Sequence, residues 1–84
     1  MTPFQMEIRQ VMRGYAKKGG KKFRALQIRR LERLADFAAT RGTREAGQIG
    51  PRTFIGFKKE FGLSDKTIDA YERAFKIFLD RRKP

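Results

Sequence analysis

Nine basic side chains fall between Arg13 and Arg33 (Arg13, Lys17, Lys18, Lys21, Lys22, Arg24, Arg29, Arg30 and Arg33), and only Glu32 opposes them. Nine charges against one leave eight of the chain's twelve net positive charges in a quarter of its 84 residues. Solubility is served by mixed signs, whereas a dense single-signed stretch suits a polyanion, above all nucleic acid. Within it, Lys17, Lys18, Lys21 and Lys22 surround the pair Gly19 and Gly20. Two glycines let the backbone approach a ligand closely and four lysines supply charge, which is the chemistry of a phosphate-contact loop. The alternative is a solvated basic loop with no partner. A nucleotide-binding P-loop is excluded, because the spaced glycines, the Gly-Lys-Ser/Thr ending and a preceding strand are all missing.

A second group lies near the C-terminus. Lys66, Asp69, Ala70, Arg73 and Lys76 share a polar face at helical spacing, and Lys66, Thr67 and Arg73 are the best candidates for contacts to base edges. Catalytic chemistry has no comparable support. There is no histidine and no cysteine, and the nine acidic residues are scattered without acid–base pairing or the clustering of a hard-metal site, so no enzyme activity, metal or cofactor is expected. Tyr15 and Tyr71 sit on apolar stripes, where a core role is expected.

Four helices must position these groups. Thr2 and Gln5 form a capping box before a stripe of Phe4, Ile8, Val11, Met12 and Tyr15, predicting a helix from Pro3 to about Lys17. A second helix is expected from about Lys22 to Arg41, with Phe23, Leu26, Leu31, Leu34, Ala35 and Ala38 buried, Ile28 and Phe37 flanking, and Gly42 as the stop. Arg24, Gln27 and Arg30 project inside or beside that apolar arc. The first half of the helix is therefore expected to protrude and present these three to DNA, the alternative being that they snorkel to solvent. Residues 40–50 read as a polar loop or turn.

The chain is organised around residues 50–79. Gly50 as cap, Pro51 at the first helical position and Ile49 stapling onto Phe54 begin a helix that Gly62 ends, with Leu63 packing back. Ser64 caps the next helix, Asp65 suits its positive end, and Ile68, Tyr71, Phe75, Phe78 and Leu79 form its core stripe to about Arg82. The segments 51–61 and 65–82 thus read as a helix-turn-helix-like pair, although Lys58 stands where that motif usually carries a small residue. The tail from Arg81 to Pro84 is expected to fray.

The basic Gly-Gly loop, the run from Gln27 to Ala38, and Gly62-Leu63-Ser64-Asp65-Lys66-Thr67-Ile68-Asp69-Ala70-Tyr71 together resemble the N-terminal core-binding domain of tyrosine recombinases and phage integrases. The resemblance implies an all-α, four-helix, SAM-like bundle that clasps duplex DNA with helices across the major groove. Those recombinases carry a separate catalytic domain with histidines and a nucleophilic tyrosine, which this chain lacks. The resemblance therefore implies a single non-catalytic domain, either excised from an integrase or a free-standing accessory in recombination, conjugation or transcription control.

The expected DNA-binding set is Lys17, Lys18, Lys21, Lys22, Arg24, Gln27, Arg30, Ser64, Lys66, Thr67, Ala70 and Arg73. The expected partners are duplex DNA and a recombinase, conjugation or transcription protein, with a monomer favoured over a dimer. Three other readings stay open. One is a helix-turn-helix repressor, which predicts a dimer on a palindromic site, another is an RNA- or ribosome-associated protein, against which the core placement of the aromatics counts, and the third is a protein-interaction or anionic-membrane module that would not depend on nucleic acid. No apolar run approaches a membrane span and no hydrophobic leader follows Met1, so a cytoplasmic location is expected.

Overall fold

The computed structural model describes residues 1–15 and 20–82. It is an all-α bundle of four helices, α1 (Pro3–Val11), α2 (Lys21–Thr40), α3 (Pro51–Phe61) and α4 (Asp65–Arg82), with a 3-10 turn at Ala46–Gln48 and no strand among the described residues. One core joins all four. Phe4, Phe57, Phe78, Ile8, Leu31 and Leu34 are its largest fully enclosed side chains.

Local chemistry sets most of the boundaries. The Thr2 hydroxyl accepts from the Gln5 amide at 3.2 Å while the Gln5 side chain accepts from the Thr2 amide at 2.7 Å, completing the capping box of α1. The Gln5 side-chain amide also donates to Asp36 at 2.7 Å and ties α1 to α2. Gly50 and Pro51 start α3 as expected. Gly62 ends it in the left-handed region at φ 61°, and the Leu63 amide reaches back to the Lys58 carbonyl at 3.0 Å, a Schellman closure. At the head of α4, the Ser64 hydroxyl accepts from the Thr67 amide at 3.2 Å. Ser64→Ala removes this cap and is expected to lower stability by about 1 kcal/mol. Urea denaturation followed by circular dichroism checks that value.

Three expectations are corrected. Helix α1 ends at Val11 rather than near Lys17: Met12 adopts a non-helical cap geometry and the chain turns through Gly14, yet Met12 and Tyr15 still enter the core. Phe23 and Leu26 are not buried; they are 57% and 43% exposed. The flank of α2 that carries them is covered further along by α3, where Phe37 packs against Phe57 and Phe61, and it is left open at the first turns, where Phe23 lies in a cleft beside α4. Finally, Arg81 and Arg82 belong to α4 instead of a frayed tail, and Arg82 donates to Glu7 at 2.7 Å. Lys83 and Pro84 lie outside the described residues.

Candidate nucleic-acid interface

Helix α2 makes its most extensive contact with α4. The guanidinium groups of Arg24 in α2 and Arg81 in the last turn of α4 stand over the same Tyr15 ring, 4.4 and 5.1 Å from its centroid. Along the outer seam between the two helices runs a cleft of about 360 Å³, lined by Phe23, Gln27 and Arg30 from α2 and by Lys66, Asp69, Ala70 and Arg73 from α4. These residues recur every three or four positions on each helix, so one face of each helix supplies one wall.

Five of the twelve expected contact residues meet in this cleft: Gln27, Arg30, Lys66, Ala70 and Arg73. Their roles differ from expectation in one respect. Gln27 is not presented outward; it is 3% exposed, one to three turns before Leu31, Leu34 and Ala38 on the same buried face, and its carbonyl oxygen accepts from Arg30 at 3.2 Å. A buried amide needs such a partner, so Gln27 positions the Arg30 guanidinium. Arg24 is half-buried and donates to the Tyr15 carbonyl at 3.1 Å as well as covering that ring, which directs it along the bundle rather than into the cleft.

On α4, Lys66 and Arg73 are exposed and Ala70, half-buried, leaves space between them. Arg73 pairs with Asp69 at 3.0 Å one turn away, with side chains 75% and 55% exposed. An exposed pair of this kind is weak and leaves the guanidinium free to exchange a carboxylate for a phosphate. Thr67 and Ser64 are committed to each other: besides the cap bond, their hydroxyls lie 3.0 Å apart. Ser64 and Thr67 therefore set the start of α4, and neither lines the cleft where base or phosphate contacts were expected of them. Lys22 is exposed at the start of α2; Lys17 and Lys18 lie outside the described residues, as does the side chain of Lys21.

Lys58 finds its reason here. Its ammonium bridges the turn to Asp65, which holds the Asp65 carboxyl below the usual carboxylate range, first through the hydrogen bond and then through the ammonium charge. The pair is exposed, Asp65 almost fully, so like Arg73–Asp69 it adds little to stability. The residue that the sequence reading missed is Phe23, which it assigned to the core and which instead lines the cleft in the open. Its signal was the cluster Lys21, Lys22 and Arg24 around it, a polar setting for a core aromatic. Among the described residues no group of acidic side chains could hold a metal ion, and no helix is long and apolar enough to cross a membrane. Comparison of the chain with protein-family models, curated proteins and solved structures finds no match, so the case for a function stands on the geometry of the α2–α4 face.

Proposed function

We propose that the chain is a non-catalytic duplex-DNA-binding domain, of the SAM-like core-binding kind that its sequence resembles, acting as an accessory in recombination, conjugation or transcription control. The observation that carries this reading is the convergence of Arg30, Lys66 and Arg73 on one cleft from two helices far apart in sequence. Together with a net charge of +12, that arrangement offers phosphate contacts on two sides of a strand. Lys22 extends the charge at the start of α2, and in the sequence Lys17, Lys18 and Lys21 stand just before it.

A helix-turn-helix repressor is the second reading, favoured by the short turn between α3 and α4 with its Schellman closure at Gly62 and its Ser64 cap, the turn chemistry which that motif uses. The two readings differ in assembly. Titrating labelled random-sequence duplex DNA and matched duplex RNA at several salt concentrations, with solution mass monitored, tests both. A monomer that prefers duplex DNA with a steep salt slope supports the core-binding reading, and a dimer requiring paired half-sites supports the repressor. Equal or tighter binding to RNA rejects both.

A further inference from the structure

Phe23 is out of place in a chain that buries its aromatics. Phe4, Phe37, Phe54, Phe57, Phe75, Phe78, Tyr15 and Tyr71 are all less than a tenth exposed, and Phe61, half-exposed, lies against the rings of Phe37 and Phe57. Phe23 alone stands 57% exposed in a cleft with Arg30, Lys66 and Arg73. One exposed apolar side chain is ordinary on a protein surface. Its neighbours make this one different, because an open aromatic face set among cations is how proteins hold an unpaired base while holding its flanking phosphates.

The cleft has the other parts such a ligand needs. Its volume of about 360 Å³ falls at the lower end of small-ligand clefts, which run from about 300 to 1,000 Å³. Ala70 keeps the α4 wall low, and the exposed Asp69 carboxylate can accept from the exocyclic amino group of a base, cytosine in particular. An acidic side chain within a phosphate-binding face costs affinity for phosphate, so its presence fits a ligand that also brings hydrogen-bond donors. Leu26, 43% exposed on the next turn of α2, extends the apolar surface beside Phe23.

We infer that the α2–α4 cleft accepts one unpaired nucleobase of a bound DNA strand, stacked on Phe23, with Arg30, Lys66 and Arg73 at the neighbouring phosphates and Asp69 at the base edge. The inference rests on the DNA-binding reading and adds a preference within it, for duplexes that contain an extruded or unpaired base.

The test compares three labelled duplexes at one salt concentration: fully paired, the same sequence with a single unpaired cytosine, and the same with a single unpaired thymine. Wild type, Phe23→Ala, Phe23→Leu and Phe23→Trp are titrated against each. The unpaired cytosine is expected to strengthen wild-type binding about tenfold over the paired duplex, the scale of one base–aromatic stack. Phe23→Ala and Phe23→Leu should lose that gain while keeping the paired-duplex affinity, Phe23→Trp should keep it, and thymine should gain less than cytosine. Since Phe23 is exposed, these variants should melt with the wild type. A gain that survives Phe23→Ala would assign it to the flexibility of the bulged duplex and overturn the inference. So would full retention by Phe23→Leu, or a Phe23→Ala effect on self-association alone. Tight paired-duplex binding with no gain from either unpaired base would overturn the cleft assignment and leave the DNA-binding reading standing, whereas failure to bind any of the three would overturn both.

Discussion

Phe57→Ala is expected to destabilise the domain by about 3–5 kcal/mol. Phe57 is 1% exposed and its ring lies 5.1 Å from Phe37 of α2, 5.2 Å from Phe61 of its own helix and 4.8 Å from Tyr71 of α4. Truncation removes buried apolar surface, opens a cavity where three helices meet, and deletes one edge-to-face and two tilted ring contacts. At roughly 0.05–0.15 kcal/mol per residue, a domain of this length holds only about 4–13 kcal/mol in total. The variant should therefore melt far below the wild type or fail to fold. Phe61→Ala serves as the comparison: its side chain is half-exposed, so the same chemical change there should cost much less. Thermal and urea denaturation of the two variants measures the difference. Equal losses would mean that the α2, α3 and α4 junction is not centred on Phe57.

The second large effect is on binding. The triple substitution Arg30→Ala, Lys66→Ala, Arg73→Ala is expected to reduce the slope of log affinity against log salt for duplex DNA by roughly two to three units, because each lost phosphate contact removes about 0.9. Affinity near physiological salt should fall by at least about tenfold. None of the three is in the core, but Arg30→Ala leaves the buried Gln27 amide oxygen without its partner, so a stability loss of about 1–3 kcal/mol is expected and binding is compared where the variant is still folded. Removing Arg73 also leaves Asp69 without the guanidinium beside it, adding an uncompensated negative charge to the cleft. Three exposed basic residues on the remaining helices, Arg9 on α1 and Arg52 and Lys59 on α3, provide the matched control. An equal loss of slope in that control would mean that the protein binds through overall charge rather than through one face.

How much of this was legible in the sequence depends on how local the determining interactions are. The bounds of α3 and α4 follow from Pro51, Gly62 and Ser64, each of which acts on backbone groups within a turn of itself. The end of α1 was harder to read. Met12 and Tyr15 continue the apolar stripe of Phe4 and Ile8 and do enter the core, so the pattern of burial was right while the backbone that delivers it is a turn. Gly14 was the local sign of that turn. Phe23 was misread because periodicity reports which face of a helix is apolar, not how far along the helix its neighbours extend. Gln27 projected into the buried arc of α2 and is buried there. Its outward presentation was expected because burying an amide is costly, and the Arg30 bond that offsets this cost appears only once the side chains are placed. The pairing of α2 with α4 depends on contacts such as Arg24 and Arg81 on Tyr15, which bring together residues from opposite ends of the chain and have no sequence signature.

Amide chemical-shift mapping with unlabelled duplex DNA added to isotope-labelled protein tests the central claim most directly. If the α2–α4 face binds DNA, the shifts should concentrate between Lys22 and Arg30 and between Ser64 and Arg73, with the Arg30 and Lys66 amides among the largest, and should reverse on raising the salt concentration. Shifts concentrated instead on the outer faces of α1 and α3, around Arg9, Arg52 and Lys59, would contradict it.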